Sequence, residues 1–84
     1  MLTPAQCRAA RGLLDWTQQH LADQVRVRVV TIRLLEAGQT LPRRATLDVI
    51  QRAFESAGVE LISPIGRGPG VRLRGPEVGA MNRR

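Results

Sequence analysis

Eighty-four residues make one small domain with a limited core. Trp16 and Phe54 are its two aromatics, so the interior must be built from Leu, Val, Ile and Ala, as in a helical bundle. Thirteen arginines, no lysine and seven acidic residues give a net charge of +6, which points to a polyanionic partner; no apolar run is long enough to span a membrane or form a signal segment.

The first element is marked at its start. Thr3-Pro4-Ala5-Gln6 combines an N-cap threonine, proline at the first helical position and glutamine at the third, a capping box. Cys7, Ala10 and Leu14 then fall at i, i+3 and i+7 on one apolar face. Gly12 weakens this helix by about 1 kcal/mol relative to Ala, unless it admits a close neighbour. Cys7 has no second cysteine to pair with and is expected to be a small core residue. Thr17 reads as a fresh N-cap, and Leu21, Ala22 and Val25 form an inward face. His20, the single histidine, sits among polar residues and is expected to face solvent or phosphate.

The stretch VRVRVVTI, residues 25–32, alternates like a half-buried strand and is rich in strand-favouring residues. Helical patterns flank it on both sides. A third helix is expected from about 28 to 37, with Ile32 and Leu35 inward and Gly38 as its stop. Leu41-Pro42 closes the next loop. A fourth helix runs from about Arg44 through Ala57, burying Leu47, Ile50, Ala53, Phe54 and Ala57, and Gly58 ends it. Residues 59–74 change period: Val59–Ile62 and Val71–Arg74 read as two short strands around a Gly/Pro loop, a β-hairpin. Residues 75–84 carry no periodicity and read as a disordered tail.

A tight connection between the second and third helices suggests a helix-turn-helix. Such a unit needs a small residue where its helices cross, a turn residue with positive φ, and an apolar plug. Ala22, Arg26 and Val27 have that spacing, followed by Ile32 and Leu35 as inward residues. On this reading the strand-like stretch is a turn interrupting two helices. The sequence TQQHLADQVRVRVVTIRLLEAGQTLP resembles the lambda-repressor-like (Xre-type) helix-turn-helix family. The elements that carry the resemblance are Thr17-Gln18, Leu21-Ala22, Val27, Thr31-Ile32, Glu36, Gly38 and Pro42, and it spans about Arg8 to Val59.

The resemblance implies a mainly α fold: a four-helix DNA-binding domain over residues 1–58, with the C-terminal hairpin as an extension. It implies that Gln18, Arg43 and Arg44 meet DNA phosphates and that Arg28, Val29, Val30, Arg33 and Leu34 face the major groove. Arg11 and Glu36 would form a partly buried ion pair; the alternative is two solvated charges worth under about 1 kcal/mol. The chain departs from the family in carrying Arg26 where glycine is usual, at a cost of about 1–2 kcal/mol. It departs again in offering apolar residues where Gln or Asn often read bases. Apolar side chains can contact thymine methyls, and arginine can pair with guanine.

The expected function is a DNA-binding regulator of transcription, a repressor, that binds a palindromic operator as a homodimer in the cytoplasm. Val59, Leu61, Val71 and Leu73 of the hairpin are the candidate dimer interface; the alternative is a hairpin that caps its own bundle. A second expectation stays open: an antitoxin that binds a toxin and controls its own operon. No acid pair, nucleophile–histidine set or metal cluster argues for an enzyme, so no metal or cofactor is expected. RNA binding lacks the exposed aromatics that stack unpaired bases.

Overall fold

The computed structural model describes residues 2–62 and 68–74. Four helices, α1 (Pro4–Leu14), α2 (Gln18–Val25), α3 (Val29–Glu36) and α4 (Arg44–Ser56), precede two strands, β1 (Val59–Ile62) and β2 (Gly70–Leu73). At the head of α1 the capping box is closed in both directions. Thr3 Oγ1 accepts from the Gln6 N–H, and Gln6 Oε1 accepts from the Thr3 N–H, each at 3.0 Å. Thr17 caps α2 through a 2.9 Å bond from the His20 N–H.

Three helices stop by the same device. The Trp16, Val27 and Gln39 N–H groups each reach back five residues, to the carbonyls of Arg11, Ala22 and Leu34 at 3.0 Å. That closure requires a left-handed residue just before the donor. Asp15 (φ 56°), Arg26 (φ 60°) and Gly38 (φ 73°) supply it. The strand-like alternation of residues 25–32 is thus the signature of a turn: Val25 ends α2, Arg26 is left-handed, and α3 begins at Val29.

Cys7 and Ala10 of α1, Leu21 and Ala22 of α2, Ile32 and Leu35 of α3, and Ile50 and Phe54 of α4 are wholly buried together. Each large aliphatic or aromatic side chain so placed contributes about 1.5–3 kcal/mol relative to exposure. Ala22, lacking bulk, sits where α2 and α3 cross, and Val27 plugs the turn, half-buried against the core. Two expectations about packing fail. Gly12 is exposed with open space around it, so no helix approaches there. Ala57 caps the C-terminus of α4 and is exposed, because the helix has already ended at Ser56.

The strands pair antiparallel, with Val59 opposite Leu73 and Leu61 opposite Val71. An isolated hairpin of this size is marginal in water, and this one is bound to the helices. β1 packs on α4 and β2 on α1. Gln6 Nε2 donates to the carbonyls of Ile62 at 3.0 Å and Gly70 at 2.9 Å. The glutamine that caps α1 with its oxygen therefore anchors the hairpin with its nitrogen, and it is almost wholly buried. The loop at residues 63–67 and the expected disordered tail at 75–84 lie outside the described residues.

Candidate nucleic-acid interface

The sequence of α3 divides its surface. Ile32, Leu35 and Glu36 are buried, and successive residues turn by about 100°. Val30 and Leu34, one turn apart, consequently occupy the middle of the opposite face, and both remain half-exposed. Arg33 flanks them and is exposed, as is Arg28 at the N-cap. Val29 lies at the boundary: it is half-buried and packs partly against the core, so only part of it is left to an outside surface.

Charge at the helix ends is arranged against the usual preference. Helix N-termini favour acidic groups and disfavour cations by about 0.3–1 kcal/mol. Arg28 caps α3 and Arg43 caps α4, with Arg44 as the first residue of α4. Neither arginine cap makes a side-chain capping bond, and neither helix has an acidic residue in its first turn. All three arginines are exposed. Unneutralised backbone N–H groups and guanidinium groups thus concentrate at two successive helix starts, an arrangement that an external anion stabilises.

The helix-turn-helix family model matches residues 8–61, well over half of the chain. The chain belongs to the lambda-repressor-like (Xre-type) helix-turn-helix family. Comparison with curated proteins returns no match. The family is one of DNA-binding regulators of transcription.

Behind the exposed face of α3 lies a buried polar hub. Glu36, the last residue of α3, is 4% exposed. Its Oε2 accepts from Arg11 Nε at 2.7 Å and from Cys7 Sγ at 3.1 Å. Its Oε1 accepts from Arg11 Nη2 at 2.7 Å and from Gln18 Nε2 at 3.1 Å. Arg11 Nη1 also donates to the Trp16 carbonyl at 2.9 Å, and Arg8 Nη1 donates to the Glu36 carbonyl. One carboxylate thereby ties α1, the α1–α2 connection and the start of α2 to the end of α3. Burial pushes the Glu36 carboxyl up, but bonds from Arg11, Gln18 and Cys7 and the Arg11 charge outweigh it, and its pKa is lowered. Burial, then the bond to Glu36, pushes the Cys7 thiol far up, so it stays a protonated donor.

Several of these contacts have no counterpart in the sequence pattern. Spacing suggests a purely apolar role for Cys7, whereas its S–H faces the carboxylate; a cysteine one turn before Arg11 carries no signal for that. Gln18, expected to meet phosphate, turns one amide hydrogen inward to Glu36. That leaves a second amide hydrogen and the backbone N–H for an outside acceptor. Trp16 has no place in the apolar periodicity, but it stacks on Phe54 with ring centroids 5.9 Å apart and meets His20 edge-on at 4.8 Å. Arg43 and Arg44 do lie at an exposed helix start, as their position after Pro42 suggests. Val59 requires a correction as an interface residue: it is wholly buried in the chain's own core and is not available to a partner. Leu61 and Val71 are half-buried, and Leu73 is 48% exposed.

Among the described residues, no helix is long and apolar enough to cross a membrane. Among the described residues, no three His, Cys, Asp or Glu side chains gather where they would hold a metal ion.

Proposed function

We propose that this chain is a sequence-specific transcription regulator acting in the cytoplasm, a repressor without chemistry of its own. It binds a palindromic operator as a homodimer, one recognition helix in each half-site. The observation that carries this reading is the placement of Arg28, Arg43 and Arg44 at the positive ends of α3 and α4, whose first turns hold no acidic residue. DNA phosphates supply the missing charge. Arg43, Arg44 and the outer amide hydrogen of Gln18 take phosphates on either side of the groove. Arg28 and Arg33 pair with guanine O6 and N7, while Val30, Leu34 and the free part of Val29 meet thymine methyl groups.

Selection of bound sequences from a random duplex pool at fixed salt tests the proposal. It should return a two-fold symmetric site with G and T at the contacted positions. Repeating the selection with Arg33→Ala should relax one position per half-site by about 1–3 kcal/mol. A uniform loss of affinity for all sequences would make Arg33 a phosphate contact, and a pool without enrichment would refute sequence-specific binding.

A further inference from the structure

The two-stranded sheet has unequal edges. The Arg74 N–H donates to the Gly58 carbonyl at 2.7 Å. With the observed register, this makes Glu60–Arg72 and Ile62–Gly70 the hydrogen-bonded pairs. Val59 and Leu61 of β1, and Val71 and Leu73 of β2, therefore aim their backbone N–H and C=O away from the opposite strand. β1 packs on α4. On β2, no backbone–backbone hydrogen bond joins it to another element among the described residues. An open strand edge of this kind is a template for pairing.

Both β2 and α1 also leave apolar side chains in water. Leu73 is 48% and Leu13 40% exposed. Leu13 follows Gln6 at i+7, on the face of α1 from which Gln6 reaches the hairpin. Val71, half-buried, lies between β2 and the core. The local charge also differs from the rest of this basic chain. From Arg26 to Asp48, five arginines stand against Glu36 and Asp48. From Glu55 to Arg74 the sequence holds Glu55 and Glu60 against Arg67, Arg72 and Arg74, and Arg72 is paired with Glu60 at 2.9 Å. Two copies meeting here bring together the less charged sector, while their strongly cationic sectors stay apart.

We infer that the outer edge of β2 joins the same edge of a second copy of this chain, forming one four-stranded antiparallel sheet across a two-fold axis. The choice of a second copy rests on the two-fold operator reading above. The edge is self-complementary: Val71 and Leu73 each offer one donor and one acceptor, and antiparallel pairing about a two-fold axis matches the two copies. Symmetric pairing also doubles a hairpin that two strands alone barely stabilise.

The test measures mass in solution by sedimentation equilibrium, without DNA, for the wild-type chain, Leu73→Pro and Leu73→Lys. Proline at this position removes an outward donor and no bond of the hairpin, and lysine places a charge on the edge. The wild type should be dimeric, and both variants, folded by circular dichroism, should dimerise at least about tenfold more weakly with single half-site binding unchanged. Lysine keeps the test open if the proline variant does not fold. A monomeric wild type, or folded variants that dimerise like it, would overturn the inference. If the dimer is lost in both variants but the selected DNA sites lack symmetry, the edge stands and the palindromic reading fails. If the sites are symmetric and the wild type is monomeric without DNA, the edge fails and the palindromic reading stands.

Discussion

Replacing Glu36 with glutamine isolates the hub behind α3, because the change is nearly isosteric. Four donors surround the carboxylate: Arg11 Nη2 and Gln18 Nε2 at one oxygen, Arg11 Nε and Cys7 Sγ at the other. A carboxylate accepts at both oxygens, whereas an amide accepts at one and donates at the other. Whichever way the new amide flipped, its NH2 group would meet two donors, and two bonds would be lost. Bonds to a charged group are worth about 1.5–3 kcal/mol each, a gross loss of roughly 3–6. The Arg11 side chain is 19% exposed, so water recovers part of this, and a net cost of about 3 kcal/mol is expected. Total stability for a chain of this length is only about 4–13 kcal/mol. In urea unfolding at neutral pH, with a slope of about 1 kcal/mol per molar, the midpoint should fall by about 2–3 M. Glu60→Gln serves as control, since the Glu60–Arg72 pair is largely exposed and worth under about 1 kcal/mol. If Glu36→Gln moves the midpoint no further than Glu60→Gln, the hub is not holding the helices together.

The pH dependence of stability should show two limbs. A carboxyl whose folded pKa is lowered, as at Glu36, stabilises above its unfolded value and loses that contribution as pH falls. The urea midpoint should therefore drop below about pH 5 in the wild type, and the drop should be much smaller in Glu36→Gln. The Cys7 thiol is raised in the fold, so its contribution is lost as pH climbs past the unfolded thiol value of about 8.5, and Cys7→Ala should flatten that alkaline limb. At the turn, Arg26→Gly relieves a left-handed residue at φ 60°; about 1–2 kcal/mol of relief less up to about 1 kcal/mol of unfolded-state entropy should raise the thermal midpoint by a few degrees. A clear drop in that midpoint would mean that the Arg26 side chain makes a stabilising contact.

The helix-turn-helix was legible because its signals are local. Backbone closure fixes where a helix can stop, so the residue spacing of Ala22, Arg26 and Val27 marked the turn even where valines mimicked a strand. The capping box at Thr3 and Gln6 and the glycine stops at 38 and 58 are equally short-range. The family pattern named Arg11 and Glu36 as partners, since both belong to the repeated architecture of such domains. It did not supply the rest of the hub. Cys7, Gln18 and Arg8 reach Glu36 across 29, 18 and 28 residues of sequence, and no spacing rule connects them.

The hairpin divides in the same way. Alternation determined that residues 59–62 and the segment near 71 are strands, and that Val59, Leu61, Val71 and Leu73 share a face. It did not determine what that face meets, because alternation is identical for a strand buried by its own helices and one buried by a partner. Docking on α1 and α4 decided it, sinking Val59 completely and leaving Leu73 half in water. The sequence by itself thus determined the elements, their stops and the charge at their ends, all products of backbone geometry and composition. Which polar atoms converge on Glu36, which strand edge stays open and how Gln6 serves two elements at once were decided only when the helices packed.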